Sequence, residues 1–169
     1  MDNKSILERI NKEFNSPNIY ISECELGFCV RAKRDLRKGE IIYTFQGPEI
    51  SFEETLTRGE TECMSLQFDF NRYIDTVAPG MYINHSCEPN TGIINDFDLM
   101  TIEQIPNHTE IRFDYSTTMD ENHYQMECKC GRPSCRKIVT DFKLLPSYVK
   151  EQYLKLNIVM SFIRMQYVK

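Results

Sequence analysis

The chain has 169 residues, 41% hydrophobic and 27% charged, which suits one globular domain, with at most a small appendage, around a single core. Its 20 Lys and Arg against 25 Asp and Glu give a formal net charge of -5, so there is no overall basic face for direct nucleic-acid binding and a basic partner fits better. The N-terminal MDNKSILERI is charged where an export signal needs an apolar run, and Leu156–Met165 is too short and interrupted to span a bilayer, so an intracellular protein away from the membrane is expected.

In chain order, residues 1–15 predict a short amphipathic helix with Ile6, Leu7, Ile10 and Phe14 on one side. Strand patterns follow at Asn18–Ile21, Phe28–Ala32 and Ile41–Phe45, with Lys38-Gly39 turning the chain between the last two. Residues 51–63 carry Glu53, Glu54, Glu60 and Glu62 with little apolar periodicity, a solvated helix or loop insert. Strand character returns at Leu66–Phe70, Tyr73–Asp75, Leu99–Ile102 and Glu110–Tyr115. The tail changes period: Val149, Tyr153, Leu156, Met160, Ile163 and Tyr167 recur at steps of four and three, a helical stripe with Pro146 in its first turn. That helix is expected to pack on the body; docking on a partner or a second copy is the alternative, and the oligomeric state stays open.

Seven cysteines are an odd number, and three of them form a C-x-C-x4-C cluster at Cys128, Cys130 and Cys135. Gly131 and Pro133 supply a turn that lets the three thiolates converge on one ion, so metal is favoured over disulfides. Structural zinc takes four ligands. The fourth is open among Cys24, Cys29, Cys63, Cys87 and the three histidines, while Cys24 and Cys63 are otherwise expected to be buried thiols.

The segment MYINHSCEPN at residues 81–90 places Asn84, His85, Ser86 and Cys87 consecutively after an aromatic strand end. With EIRFDY at 110–115, the cysteine cluster, and ELGFCVRAKRDLRKGEII at 25–42, the chain resembles the SET-domain family of protein lysine methyltransferases across residues 19–140. The resemblance implies a mostly β (α+β) fold of small sheets in which the 84–87 and 113–115 segments meet in a knot-like crossing, plus a C-terminal helix. It divides the chain into a lead-in at 1–18, a SET domain at 19–116 with a variable insert near 51–66, a zinc-binding post-SET segment at 117–140, and a helical tail at 141–169.

The resemblance further implies S-adenosylmethionine as methyl donor, entering from one face while a lysine enters from the other. Tyr115 matches the catalytic tyrosine. Gly27, Phe28, Asn84, His85 and Tyr115 match the donor-binding residues, and Phe45 and Phe113 the lysine channel. Cys87 matches the fourth zinc ligand, beside Cys128, Cys130 and Cys135. Freeing a lysine of its proton costs about 4 kcal/mol near neutral pH, and an aromatic channel reduces that cost by disfavouring the charged form. Phe113 stands at a phenylalanine/tyrosine switch, where lacking a hydroxyl leaves room for two or three methyls. The sequence departs from the family pattern with Cys29 in place of a second glycine, Met81 in place of an arginine, and Phe45 in place of a tyrosine. Methylation of a basic protein such as a histone tail is therefore expected, within chromatin or a host cell. A catalytically weak peptide-binding or scaffold module is the alternative.

Overall fold

Helix α1 (Asn3–Phe14) forms where the apolar spacing requires it and turns Leu7, Ile10 and Phe14 toward the core. The computed structural model describes residues 3–167; the ends of the expected lead-in and tail, and the side chains of Asn3 and Glu60, lie outside the described residues. Asn11 of α1 completes the edge of strand β1 (Ile19–Cys24): its Nδ2 donates to Ile21 O at 2.8 Å and its Oδ1 accepts from Ile21 N–H at 2.7 Å. That satisfies backbone groups which an edge strand leaves unpaired.

β1 pairs antiparallel with β2 (Gly27–Ala32) across the turn Glu25-Leu26. Further along the chain come β3 (Ile41–Thr44), β4 (Glu49–Ile50), helix α2 (Phe52–Leu56), β5 (Ser65–Asp69) and β6 (Arg72–Asp75). The strands β7 (Asn84–His85), β8 (Thr91–Ile94), β9 (Asp98–Thr101) and β10 (Arg112–Phe113) follow. After them, β11 (Met126–Glu127), β12 (Ile138–Val139), helix α3 (Ser147–Leu156) and the short helix α4 (Ser161–Arg164) end the described chain. The strands make small sheets in the orders β1-β2, β3-β9-β8, β4-β6-β5 and β11-β12, all antiparallel, and a parallel pair β7-β10. One apolar cluster joins all of these but the β11-β12 pair, with Val30, Leu36, Ile83, Leu99, Ile111 and Phe142 fully buried. Among the described residues, no helix is long and apolar enough to cross a membrane. The mostly β, α+β architecture of small sheets with a C-terminal helix is as expected.

Three details differ from the sequence reading. The strand expected over Glu110–Tyr115 is ordered as β10 for two residues only, because Asp114 ends it. The Asp114 side chain accepts from Ser116 N–H and starts a 3-10 turn at Tyr115–Thr118, the local capping habit of aspartate. The tail stripe is not one helix either. Asn157 adopts a left-handed conformation (φ 57) and closes α3, a usual helix stop. Ile158, Val159 and Met160, all buried, come next. Three successive buried side chains cannot share the single inward face of a helix, so the chain runs irregularly there before α4. Finally, β8 and the two-residue strands β4, β7, β11 and β12 were not expected; in β8, the missing side chain of Gly92 lets Ile158 pack on the strand.

A Cβ at Gly92 would come within 2.4 Å of Ile158. Gly92→Ala is expected to cost about 1–3 kcal/mol through overpacking. In chemical denaturation, the double variant with Ile158→Ala should be less destabilised than the sum of the singles; purely additive costs would remove this contact as the cause.

Candidate functional site

One stretch of chain stitches the site together. His108 N–H donates to Ala32 O at 2.9 Å and Ile111 N–H to Val30 O at 2.8 Å, so residues 108–111 run beside β2. The next two residues switch partners and pair in parallel with β7, Arg112 opposite Asn84 and Phe113 opposite His85. Ser86 N–H then donates to Phe113 O at 3.0 Å. The hairpin bearing Gly27, the Asn84–His85 pair and the Phe113–Tyr115 run are thereby fixed side by side.

Tyr115 is held at both ends. Its backbone N–H donates to His85 Nδ1 at 3.2 Å, and its hydroxyl donates to Ile83 O at 2.9 Å. Burial pushes the phenol well above its ordinary pKa, so it stays protonated. Burial likewise holds His85 down at about 4. The neutral ring must accept at Nδ1 from the peptide, which leaves the proton on Nε2. Nε2 lies 3.4 Å from Cys87 Sγ.

Tyr115, Phe113 and Phe45 are three walls of one cavity of about 50 Å³. Their rings pack edge-on or tilted, Phe45 to Phe113 at 5.7 Å and Phe113 to Tyr115 at 4.9 Å between centroids. Met81, Tyr73, Tyr124, Glu62 and Glu121 complete much of the rest. Tyr73 donates to Glu121 Oε2, and burial raises the Glu121 carboxyl above its usual range.

Gly27, Phe28, Asn84 and His85 are not walls of that cavity and gather separately. Asn84 Nδ2 donates to Phe28 O at 3.3 Å and to Glu110 Oε1 at 3.0 Å, and the Phe28 ring meets Tyr82 edge-on at 5.3 Å. Gly27 has φ +101, and a Cβ built on it meets nothing within 4 Å. Its main chain is therefore uncovered, in a conformation only glycine adopts readily. Cys29 carries no such demand: it sits in β2 opposite Ser22, and its φ is not positive.

Cys87, Cys128, Cys130 and Cys135 bring their Sγ atoms within 4.8 Å of one another, and Cys87 and Cys128 are 3.7 Å apart. Four ligands at about 2.3 Å in a tetrahedron put sulfurs about 3.8 Å apart, so the quartet fits zinc. Gly131, with φ +66, makes the turn inside the cluster, and Cys128 N–H donates to Lys137 O at 2.7 Å. Cys24 and Cys63, expected as buried thiols, are half-buried.

The residue sequence reasoning passed over is Asp114, 1% exposed. Arg136 Nη2 reaches both its oxygens at 2.8 and 2.7 Å, and the Tyr153 hydroxyl donates to Oδ2 at 2.9 Å. The carboxylate thus joins the Tyr115 turn, the segment just past Cys135, and helix α3. Its position inside F-D-Y was legible, but its partners stand 22 and 39 residues away. Tyr73, Tyr124 and Glu121 were missed as cavity walls for the same reason: nothing in their local pattern says they converge.

Residues 27–116, more than half of the chain, match the SET domain family. Among similar curated proteins, histone-lysine N-methyltransferase trr of Drosophila melanogaster is 30% identical over 140 residues, which cover 71% of this chain and 6% of that protein. Histone-lysine N-methyltransferase Su(var)3-9 of the same organism is 28% identical over 146 residues, covering 67% of this chain and 23% of its own length. The human histone-lysine N-methyltransferase, H3 lysine-36 specific, is 31% identical over 126 residues, covering 64% of this chain and 5% of its own. The chain therefore spans less than a quarter of each of these relatives.

Removing the charge at the junction tests its structural weight. Asp114→Asn leaves Arg136 buried without its counterion and is expected to cost about 3–5 kcal/mol. Tyr153→Phe loses one hydrogen bond and should cost about 1 kcal/mol. Urea denaturation with both variants checks the order; equal effects would deny the carboxylate its special place.

Proposed function

The chain belongs to the SET-domain family, and from that premise we propose that it transfers methyl groups from S-adenosylmethionine to a lysine side chain of a basic protein. The observation that carries the proposal is the aromatic cavity walled by Tyr115, whose backbone is hydrogen-bonded to His85 beside Asn84. In this reading residues 19–116 are the catalytic body and residues 117–140 a zinc-held flap.

Gly27, Phe28, Asn84, His85 and Tyr115 would hold the donor: Gly27 offers uncovered main chain, and Asn84 and His85 pair with Arg112 and Phe113, just before Tyr115. When bound, S-adenosylmethionine supplies a methyl carbon made electrophilic by its sulfonium. The cavity's apolar rings disfavour an ammonium, so a lysine that enters is more readily deprotonated. Their walls also restrict its approach to one line, which is the larger source of rate. The Tyr115 hydroxyl, donating to Ile83 O, keeps lone pairs with which to orient the amine. Cys87, Cys128, Cys130 and Cys135 would hold zinc, a structural ion whose binding energy orders a segment with little core of its own.

Glu62 and Glu121 stand in the cavity wall beside the rings and would draw a cation toward the entrance before it is discharged. A neighbouring recess shares Tyr73, Gln67 and Glu121 with the cavity and adds Glu53 and Asp120. Lysine or arginine beside the target residue would meet that acidic rim, as a histone tail provides, and the names of the relatives point the same way. Part of the insert's acidity is spent locally, since Glu54 accepts from Ser51 N–H at 2.8 Å in a capping box.

Incubating the chain with labelled S-adenosylmethionine and a panel of histones and other basic proteins should label a lysine. Tyr115→Phe should lower the rate by at least ~100-fold, in line with the loss of a positioned polar group at a reacting centre, and the loss should persist at saturating donor. Undiminished labelling by that variant would refute the reading. Phe113→Tyr should shift products from di- and trimethyl-lysine toward monomethyl-lysine in mass spectra, whereas an unchanged distribution would dissociate Phe113 from product control.

A further inference from the structure

A second convergence of metal-binding side chains, two thiols and a carboxylate, lies apart from the four-cysteine cluster. The Sγ atoms of Cys24 and Cys29 and a carboxylate oxygen of Glu110 all fall within 4.8 Å of one another. They come from the two arms of the β1–β2 hairpin and from the segment bridged to β2 at Arg31–Glu110. Cys24 is opposite Gly27 and Cys29 is opposite Ser22, so the two cysteines are diagonal neighbours. Diagonal positions in an antiparallel pair stand roughly 7–8 Å apart, at or beyond the upper limit of about 7 Å that a disulfide tolerates between Cα atoms. A shared cation spans this gap without moving the backbone, because two thiolates on one zinc stand about 3.8 Å apart.

The surroundings favour an ion over idle thiols. Asn84 Nδ2 approaches both Glu110 Oε1 at 3.0 Å and Cys24 Sγ at 3.8 Å, fixing two of the three ligands. Arg112 Nη2 donates to the other Glu110 oxygen at 2.5 Å, and Arg31 Nε donates to Ser22 Oγ, which lies 3.4 Å from Cys29 Sγ. Such outer partners orient metal ligands and spread their negative charge. Two thiolates and a carboxylate would otherwise be too much charge to bury together. Cys24 is half-buried, which leaves a route from solvent.

We propose that Cys24, Cys29 and Glu110 form a second site for a thiophilic divalent cation, zinc foremost, with water as the fourth ligand. Two sulfurs select zinc, cobalt(II) or cadmium over magnesium or calcium. Three protein ligands make it an open and weaker site than the cysteine quartet. Occupancy would clamp the Gly27 hairpin to Asn84. The site itself does not depend on the proposed methyl transfer.

The full chain, stripped by a chelator, is titrated with zinc(II) against a chromophoric competitor and, separately, with cobalt(II). Two equivalents are expected, the second weaker and adding a smaller thiolate-to-cobalt charge-transfer band than the first. The Cys24→Ser/Cys29→Ser variant should take one equivalent, and Cys87→Ser should keep the weaker one. Glu110→Gln, which leaves every thiol in place, should weaken the second equivalent by about tenfold or more. Circular dichroism establishes that each variant is folded. A single equivalent in the unaltered chain, or a second equivalent indifferent to both the double-serine and Glu110→Gln changes, overturns the proposal.

Discussion

The structure turns on a buried negative charge. Asp114 sits between the Tyr115 turn, Arg136 and Tyr153, and each of those partners belongs to a different part of the chain. A carboxylate so enclosed is tolerable only when charge and hydrogen bonds answer it. The requirement therefore acts as a geometric specification: unless the segment past Cys135 and helix α3 both arrive, the charge is left exposed to an apolar interior. His85, 3.5 Å from the same carboxylate, extends the junction toward the cysteine quartet.

That arrangement compensates for a body made of very short elements. Several strands are two residues long, and a two-stranded ribbon has little stability by itself. Residues around the cysteines form a small satellite cluster with Met119 and Val139, separate from the main core. Such a patch cannot repay the entropy of ordering its loops from apolar burial alone. The Asp114–Arg136 pair ties this segment to the Tyr115 turn, and the cysteine quartet is placed to add metal ligation. The His85 ring lies between the two, accepting from Tyr115 on one side and facing Cys87 on the other.

The cavity shows the complementary design. Aromatic rings in edge contact from Phe45 through Phe113 to Tyr115 make a narrow apolar wall, while carboxylates stand in the remaining wall and in the adjoining recess. Under the proposed function, the acids would draw in a cationic side chain and the rings would disfavour its charged form. Phe45, in place of a tyrosine, removes a hydroxyl, while Tyr73 and Tyr124 bring others from segments that the sequence pattern did not connect to it.

The sequence by itself determined what is local. The 3.6-residue spacing of Leu7, Ile10 and Phe14 set α1, alternating β-branched runs set most strands, and C-x-C-x4-C with its glycine turn made a thiol cluster unavoidable. The N-H-S-C and F-D-Y strings carried the family resemblance and with it most candidate site residues. Tertiary structure decided the rest, because the deciding contacts join residues far apart in the chain. The tail stripe looked continuous until burial of Ile158, Val159 and Met160 on several sides broke it. Nothing local announced that Ile158 would pack where Gly92 lacks a side chain. Asp114 read as one letter of a motif, and the meeting of Cys24, Cys29 and Glu110 could not be read at all. Periodicity records which face of an element turns inward; only packing settles what it meets there.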